Sequence, residues 1–371
     1  MNLSYWEQKE WLSNIDFTIV GSGIVGLSTA IFIKKRFPSA KILILEKGVL
    51  PQGASTKNAG FACFGSLSEL TEDLKSHTAD EVLTLLNDRV EGLNLLRQML
   101  GDDKIGYKPY GGYELFLKKD QEFFNTCIDK IKDINSLLKP VFKGEVFSLV
   151  SNKFHFDGIQ PQYFYNQFEG QIDTGKMMNA LLQKAHNLGV VILNAVCVDS
   201  YQEKNNSVHI KTNRFELNSS KMIIATNGFT NKLIQQDLKP ARAQVLITKP
   251  IVELQIKGTF HLDCGYYYFR NIHNRILLGG GRNLDFVGET TTEIATTAKI
   301  QSELESLLQT VILPNKKVEI DQRWSGIMGV GKQKIPVIRQ YSDCVFIGVR
   351  MGGMGVALGA GVAKKIVELI P

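Results

Sequence analysis

The chain has 371 residues, of which 44% are hydrophobic and 22% charged, so it is long enough for one large globular domain or two interleaved domains. Its formal net charge of +6 is spread thinly, without the dense basic patch that nucleic-acid binding requires. The five cysteines form neither a CxxC pair nor a metal-ligand spacing, so we expect free thiols, a reducing cytoplasmic compartment and no metal.

The N-terminal part contains one segment that resembles a membrane span in its composition. The first 14 residues carry acids and tryptophans, without the basic start and apolar core of a signal peptide. Residues 17–33 then carry no charge, and 17 positions is the short limit for a helix that crosses a bilayer. Glycines inside this run favour another interpretation, so we expect no membrane span.

Three glycines indicate a dinucleotide-binding unit of strand, helix and strand. Gly21, Gly23 and Gly26 have the GxGxxG spacing directly after an apolar run, and a second apolar run, KILILE, ends at Glu46. In such a unit the glycines permit a tight turn, a close approach to pyrophosphate and close helix–strand packing. The helix N-terminus then points its N–H groups at the phosphates, and Glu46 can accept hydrogen bonds from ribose hydroxyls. A unit of the same shape without a ligand is the alternative.

The segment after Glu46 indicates which dinucleotide to expect. Residues 47–66, KGVLPQGASTKNAGFACFGS, are rich in small side chains and lack the periodicity of a helix or strand. A solvent loop is the alternative, but such loops rarely combine alanines with Phe61, Cys63 and Phe64. An extended ligand, such as the flavin end of FAD, explains this stretch better than NAD does.

Taken together, these motifs resemble a known family. IVGSGIVGLSTA with ILEKG, followed by GASTKNAGF, is similar to the D-amino-acid oxidase superfamily of FAD enzymes, and within it to the group of glycine oxidase, sarcosine oxidase and gamma-glutamylputrescine oxidoreductase. Further matches, in chain order, are IDTGKMMNALLQKAHNLGVVI, MIIATNGFT, PARAQVLITKP, YYYFRNIHNRILLGGGR, WSGIMG and VRMGGMGVALG. The resemblance covers essentially the whole chain. It implies an α/β fold, in which a Rossmann-like FAD-binding domain is interleaved with an α+β substrate domain built on a largely antiparallel sheet.

The apolar patterns along the chain agree with two interleaved domains. Helices are predicted at 79–100, 119–138, 175–188 and 356–370. Strands are predicted at 17–20, 41–46, 112–117, 190–193, 207–212, 214–217, 221–225, 244–249, 265–270, 275–279 and 344–349. We assign 1–75, 170–238 and 322–371 to the FAD-binding domain, and 76–169 and 239–321 to the substrate domain.

A glycine cluster near the C-terminus is predicted to contact the flavin. Gly352, Gly353 and Gly355 follow the strand at 344–349 and precede the last helix. The resemblance places this helix N-terminus at the pyrimidine edge of the flavin, where about half a positive charge would stabilise the reduced, anionic ring. The glycines would leave backbone N–H groups free to donate, whereas a simple helix–strand packing contact is the alternative.

The resemblance assigns the cofactor-binding positions. These are Gly21, Gly23, Ile24, Val25, Gly26, Glu46, Lys47, Ala54, Ser55, Asn58, Ala59, Gly60, Val196, Ala225, Thr226, Gly228, Gly352, Gly353, Met354, Gly355 and Val356. Val196 is expected at the adenine end, although plain sheet turns would also explain residues 225–228. Noncovalent FAD is expected, because the segment after Trp324 lacks the cysteine by which sarcosine oxidases attach their flavin.

The same resemblance implies oxidation of the C–N bond of a small amine or amino acid, by hydride transfer to flavin N5, giving an imine. This chemistry has no obligatory side-chain base, so no catalytic residue is named. An FAD-dependent 2-hydroxy-acid dehydrogenase would need a base, and no histidine stands out near the flavin motifs. A nonenzymatic nucleotide-binding protein is the remaining alternative, and the electron acceptor and oligomeric state stay open.

The substrate-binding positions come from departures from the family pattern. Met328 stands where glycine oxidases have a carboxylate-binding arginine, and Leu277 where sarcosine oxidases have an oxygen-activating lysine. Arg270 is the candidate replacement, at a predicted strand end and on the same face as two tyrosines, unless it forms a surface salt bridge. The named substrate-binding residues are Phe61, Tyr268, Arg270 and Met328. If Arg270 does not bind substrate, apolar residues such as Phe61 and Met328 would favour an amine without a carboxylate as the substrate over an amino acid.

Overall fold

The computed structural model describes residues 3–371. The α-helices are α1 (Tyr5–Glu7), α2 (Ile24–Arg36), α3 (Leu67–Asp73), α4 (Ala79–Leu100), α5 (Asp102–Ile105), α6 (Gln121–Leu138), α7 (Thr174–Asn187), α8 (Ala298–Leu307) and α9 (Gly355–Glu368). The strands are β1 (Ile15–Val20), β2 (Ile42–Leu45), β3 (Phe61–Ala62), β4 (Gly112–Leu115), β5 (Phe147–Ser151), β6 (Gln162–Asn166), β7 (Gly170–Gln171), β8 (Val191–Leu193), β9 (Val198–Lys204), β10 (Ser207–Thr212), β11 (Glu216–Ile224), β12 (Lys239–Thr248), β13 (Thr259–Leu262), β14 (Tyr267–Ile272), β15 (Arg275–Gly280), β16 (Ile320–Val330), β17 (Val337–Gln340) and β18 (Val345–Val349). Short 3₁₀ or π turns lie at Gln8–Leu12, Ala54–Thr56, Lys118–Asp120, Asn227–Lys232, Arg282–Leu284 and Leu308–Ile312.

The first large sheet contains the predicted dinucleotide-binding unit. Its strand order is β17, β18, β11, β1, β2 and β8, and β10 and β9 continue from β11. β1 pairs in parallel with both β2 and β11, and only β17 and the β9–β10 hairpin add antiparallel pairs. β2 and β18 are buried throughout, as expected for parallel strands covered on both faces. This β1–α2–β2 arrangement confirms the Rossmann-like prediction.

The second large sheet has the order β16, β12, β15, β14, β13, β4, β6 and β5. Its strands pair in antiparallel fashion, except that β13 pairs in parallel with β4. α8 packs against β12 and β15. The structure thus confirms the predicted combination of an α/β sheet with a largely antiparallel one.

The uncharged run at 17–33 is explained by burial on every side. Its first part belongs to β1, at the centre of the first sheet, and its second part is α2, which packs against α7 and α9. Every residue from Ile24 to Ile31 is buried. A helix with neighbours all round carries apolar side chains on all faces. Of the helices within residues 3–371, none combines the length and the apolar character needed to cross a bilayer.

Several strands differ in extent from the sequence prediction, and β11 and β14 show the two differences that bear on the interpretation. The segments at 214–217 and 221–225 form one strand, β11, because its first half pairs with β10 and its second half with β1. β14 continues to Ile272, and the turn falls at His273 and Asn274, whose φ values are +47° and +57°. The expectation that Arg270 ends its strand is therefore wrong, because it lies within β14.

The sequence-based domain boundaries also separate elements that the structure joins. β16 lies mostly beyond the boundary at residue 322, yet it pairs along the length of β12 in the second sheet. α4 lies in the segment assigned to the substrate domain, yet it packs against α9. Both differences arise because the pairing of β16 with β12 and the packing of α4 on α9 join residues far apart in the sequence. Local sequence patterns do not predict such contacts. The division into two domains stays a prediction.

α4 and α9 approach each other closely at two glycines. A Cβ at Gly361 would lie 3.3 Å from the Cα of Gly92, and a Cβ at Gly92 would overlap the carbonyl oxygen of Ala357. The surrounding side chains, including Leu93 and Val362, are buried in the largest apolar core. This contact fixes α9, whose N-terminal end faces the site described below.

We expect Gly92→Leu to lower the free energy of unfolding by about 1–3 kcal/mol, because the added side chain has no space between the two helices. Thermal and urea unfolding would measure the loss. Asn94→Leu is the matched control, since the same side chain is then added at an exposed position of α4. Equal stability of the two variants would contradict the close helix contact.

Candidate functional site

A cleft between the two sheets contains most of the predicted site residues. Its volume is about 810 Å³, which lies in the range of small-molecule sites. The residues predicted to bind cofactor or substrate all line it, apart from Gly26, Gly228 and Arg270. The floor lies at the carboxyl ends of β1, β2 and β11, and the roof is the second sheet.

The turn between β1 and α2 opens onto one end of the cleft. Gly21 has a φ of +103°, and a Cβ there would lie 2.9 Å from the carbonyl oxygen of Ala225. A Cβ at Gly26 would overlap the carbonyl oxygen of Gly21, so this glycine permits close packing behind the wall. The N–H of Ile24 donates to Ser55 Oγ at 2.9 Å. The turn has the close backbone approach expected of a phosphate-binding loop.

Glu46 holds the backbone on both sides of this turn. Its side chain is buried, and Oε2 accepts hydrogen bonds from the N–H of Ser22 at 3.0 Å and its Oγ at 2.8 Å. Oε1 accepts from the N–H of Gly48 at 2.9 Å and of Gln52 at 3.4 Å. Sequence reasoning missed this role of the carboxylate in the fold. The contact with ribose hydroxyls stays a prediction.

The loop from Ala54 to Gly60 forms a wall of the cleft and is held by hydrogen bonds to its backbone. Trp324 Nε1, from β16, donates to the carbonyl oxygen of Lys57 at 2.9 Å. Asn58 Nδ2 donates to the carbonyl oxygen of Ser55 at 2.7 Å, and Asn58 Oδ1 accepts from the N–H of Gly60 at 2.9 Å. The loop is therefore a structured wall and not a solvent loop.

Arg270 contacts this loop rather than the cleft. The side chain is only 2% exposed, and its Nε donates to the carbonyl oxygen of Ala59. Its Nη1 is buried without a hydrogen-bond partner within residues 3–371, and burial lowers the pKa of Arg270 to about 10. The alternative of a surface salt bridge is therefore wrong. Binding of a substrate carboxylate by Arg270 stays a prediction, but the guanidinium does not line the cleft.

The glycines before α9 leave open space in the cleft. Gly352 has a φ of +57°, and a Cβ there would meet no atom within 4 Å. A Cβ at Gly353 would meet only Met328 Sδ, at 4.0 Å, so a tight packing contact does not explain these glycines. The N–H of Gly352 already donates to the carbonyl oxygen of Gly329 at 3.0 Å, so the expectation that it is free for a ligand is wrong.

A row of residues across the second sheet forms the roof of the cleft. In the strand register, Val245 of β12 lies opposite Gly279 of β15, which lies opposite Tyr268 of β14. Tyr268 lies opposite His261 of β13, and His261 lies opposite Glu114 of β4. Residues paired in this way share a face of the sheet. A Cβ at Gly279 would lie 2.6 Å from the Tyr268 ring, so the glycine makes room for the ring. Burial raises the pKa of Tyr268 to about 12, which keeps its hydroxyl protonated.

Phe61 completes an aromatic chamber beneath this roof. Its ring centroid lies 5.6 Å from that of Tyr268 and 5.2 Å from that of His261, both edge-on. Met328 lines the same cleft. Sequence reasoning missed His261, because no motif surrounds it in TFHLDC. Only the register with Tyr268 places it here, so the expectation that no histidine lies near the flavin motifs is wrong.

His261, Glu169 and Cys63 lie close together at this end of the cleft. Each offers one potential ligand atom, and these atoms lie within 4.8 Å of one another, a grouping that the sequence spacing did not indicate. Burial and the nearby acids raise the pKa of the Cys63 thiol well above its usual value. A protonated thiol is a poor metal ligand and a poor nucleophile.

Arg282 is a second cation that sequence reasoning missed. It lines the cleft, and its guanidinium lies over the ring of Phe286 at 4.8 Å from the centroid. Arg242 and Arg350 pair with Glu289 and Asp237, whereas Arg282 forms no salt bridge with a carboxylate within residues 3–371. Lys334, also on the cleft wall, is instead paired with Glu69 at 3.0 Å and with Asp73 at 2.7 Å. Arg282 is therefore available to an anionic ligand.

The opposite end of the cleft contains the remaining predicted positions. Val196, Ala225 and Thr226 line its wall. Lys47 Nζ lies 3.2 Å from the centroid of the Phe229 ring. A Cβ at Gly228 would overlap the carbonyl oxygen of Met328, so this glycine is required by packing against β16 and does not line the cleft.

Comparisons with known proteins identify relatives over almost the whole chain. A family model described as FAD dependent oxidoreductase matches residues 16–369. The probable oxidoreductase OrdL of Haemophilus influenzae is 21% identical over 378 residues, which cover 96% of this chain and 82% of that protein.

Solved structures show the same fold. Glycine oxidase from Geobacillus kaustophilus superposes with a TM-score of 0.76 at 17% identity, covering 96% of this chain and 94% of that chain. L-proline dehydrogenase from P. horikoshii superposes with a TM-score of 0.74 at 18% identity, covering 96% and 93%. At these identities the likeness concerns the fold alone.

We expect Glu46→Ala to lower the free energy of unfolding by about 1–3 kcal/mol, because the buried N–H groups of Ser22 and Gly48 lose their acceptor. Urea unfolding of the ligand-free protein would measure this loss. Glu145→Ala, at an exposed position, is the control. If Glu46→Ala were as stable as that control, Glu46 would not hold the turn.

Proposed function

Because the chain belongs to the FAD-dependent oxidoreductase family, as its resemblance to the D-amino-acid oxidase superfamily predicted, we propose that it oxidises the C–N bond of a small amine or amino acid. The product is an imine, which water hydrolyses to a carbonyl compound. One observation carries this proposal. A continuous cleft joins the glycine turn after β1 to the aromatic chamber beneath Tyr268 and His261.

The residues present fit FAD. The GxGxxG turn and the N-terminus of α2 suit a diphosphate, and the loop from Ala54 to Gly60 lines the part of the cleft where the flavin would lie. Gly352 and Gly353 leave a space that any larger side chain would occupy. When bound, FAD supplies the hydride acceptor for the reaction. The protein's own contribution is to align the substrate beneath Phe61 and Tyr268 and to exclude water.

Cofactor binding is noncovalent in this proposal. Three cysteines, at positions 63, 197 and 264, line the cleft. Burial raises the pKa of Cys264 to about 11 and that of Cys63 well above its usual value. A protonated thiol, unlike a thiolate, does not attack a flavin. All five thiols are unpaired, which supports the proposed cytoplasmic, reducing compartment.

Arg282 is the stronger candidate for binding a substrate carboxylate. It lines the cleft and has no acidic partner within residues 3–371, whereas Arg270 is engaged by the carbonyl oxygen of Ala59. A guanidinium can bind a carboxylate with two parallel hydrogen bonds. An amino acid is therefore favoured over an amine without a carboxylate.

A second candidate activity is oxidation of a 2-hydroxy acid. It needs a base for the hydroxyl proton, and His261 beside Glu169 provides one in the cleft. Anaerobic bleaching of the flavin separates the two activities, because only the true substrate class reduces it. We expect amino acids or N-substituted amino acids to bleach the flavin. Bleaching by 2-hydroxy acids alone would refute the proposed C–N oxidation.

We expect acid precipitation of the purified yellow protein to release FAD into the supernatant, because burial raises the pKa of both Cys63 and Cys264 in the cleft and keeps these thiols protonated. Absorbance of the supernatant and chromatography against an FAD standard would measure this. Yellow colour that stays with the washed pellet would show a covalent bond.

We expect Arg282→Met to raise the KM for an amino acid about 10- to 100-fold, a loss of about 1.4–2.7 kcal/mol. KM for a related amine without a carboxylate should change little. Arg339→Met, a substitution of an exposed arginine outside the cleft, is the matched control.

Arg270→Met tests the competing assignment. We expect it to change flavin content or stability more than KM, because the side chain holds the loop at Ala59. A strongly raised KM in Arg270→Met, with Arg282→Met unaffected, would reverse the roles of the two arginines.

A further inference from the structure

His261 is a buried histidine with one ring nitrogen free toward the cleft. It is 8% exposed and lines the cleft beside Phe61 and Tyr268. Its Nε2 lies 3.2 Å from Oε2 of Glu169, and Nδ1 makes no hydrogen bond within residues 3–371. A carboxylate can only accept, so Nε2 carries the shared proton and the neutral ring has its lone pair on Nδ1.

Glu169 is rigidly held behind the ring. It is 1% exposed, and its carboxylate also accepts from the N–H of Phe64 at 3.4 Å and lies 3.5 Å from Thr259 Oγ1. A Cβ at Gly112 would overlap this carboxylate, so the neighbouring strand is shaped to admit it. The carboxylate thereby fixes both the orientation and the tautomer of the imidazole.

Acidic groups surround His261 from several elements. Glu114 lies opposite it on β4, Glu69 projects from α3, and Cys63 lies on the loop segment after β3. Glu69 is paired with Arg89 and Lys334, whereas Glu114 accepts from Ser68. Burial lowers the pKa of His261, but the hydrogen bond and charge of Glu169, with the other two acids, more than offset this and raise it.

We propose that His261 is the base that removes a proton from the substrate's ammonium group, with Glu169 as its positioning residue. In this step a substrate N–H bond breaks, its electron pair stays on nitrogen, and the proton bonds to Nδ1 of His261. The resulting imidazolium is stabilised by Glu169. The inference rests on the proposed C–N oxidation, since only a neutral amine can be oxidised by loss of hydride from the adjacent carbon.

The charges of the chamber fit this orientation of an amino acid. The acids around His261 attract an ammonium group, and the aromatic rings of Phe61 and Tyr268 line the same chamber. Arg282 offers the complementary positive charge for the carboxylate. A zwitterion would thus bind with its ammonium group at His261 and its carboxylate at Arg282.

His261→Gln and Glu169→Gln are the test variants, because glutamine keeps a polar side chain but cannot act as the base or carry the charge. The chain supplies a matched control, the exposed pair of His209 on β10 and Glu216 on β11, which lie 3.1 Å apart, so His209→Gln should behave as wild type. Flavin content and melting temperature are measured first. If His261→Gln does not fold, His261→Asn takes its place.

The rate of anaerobic flavin bleaching at low substrate concentration is then measured against pH. In the wild type we expect the rate to rise with an inflection above the usual histidine pKa of about 6.5, because His261 must be neutral to accept a proton. His261→Gln should lose this inflection and about 100-fold of the rate at pH 7. The difference in bleaching rate between His261→Gln and wild type should become smaller at high pH, because the amino group of the substrate is then already neutral. In Glu169→Gln the inflection should move to lower pH.

An N-trifluoroethyl amino acid provides the sharpest comparison, because its amine is largely unprotonated at neutral pH. We expect His261→Gln to oxidise it almost as fast as wild type does. A deficit that persists with this substrate and at high pH would overturn the role as a base and leave His261 as a structural residue. If His261→Gln bleached the flavin with an ordinary amino acid as fast as wild type does, the role of His261 as a base would also be overturned.

A readout independent of turnover is the imidazole titration of ¹⁵N-histidine-labelled holoprotein. We expect the signal that is missing in His261→Gln to titrate above pH 6.5, and at lower pH in Glu169→Gln. Titration at or below the usual value would overturn the proposal. If no amine or amino acid bleaches wild-type flavin at any pH, the proposed function fails instead, and the two failures remain distinguishable.

Discussion

The cleft depends on the position of one loop, from Ala54 to Gly60, between the two sheets. Its carbonyl oxygens accept hydrogen bonds from Trp324 of β16 and Arg270 of β14, while Ser55 accepts from the first turn of α2. These hydrogen bonds hold the loop from both sides, and the loop still lines the cleft.

The second sheet forms the roof of the chamber in which we propose that the substrate binds. Because cross-strand neighbours share a face, the register places Val245, Gly279, Tyr268 and His261 in one row over the chamber. A shift of one residue in any of these strands would turn its side chain away. The buried aromatic core on the other face, including Phe260 and Phe269, fixes the register against such a shift.

Charged groups of both signs line the cleft. Acids lie around His261, whereas Arg282 lies over the ring of Phe286 and has no acidic partner within residues 3–371. Other cations of the wall are neutralised, as Lys334 is by Glu69 and Asp73. An asymmetric arrangement of this kind discriminates between the two ends of a zwitterion more effectively than net charge does.

The sequence by itself determined the dinucleotide-binding unit, because the glycine spacing, the apolar runs and Glu46 are all local features. It also indicated the loop at 54–60 and the glycines before α9, since small residues mark places where a backbone approaches a ligand. Only the tertiary structure decided that Arg270 is buried behind the loop and that β16 belongs to the second sheet. The same holds for His261, Glu169 and Arg282, which come from separate segments with no motif around them. Their proximity results from strand register and long-range packing, which local sequence patterns do not encode.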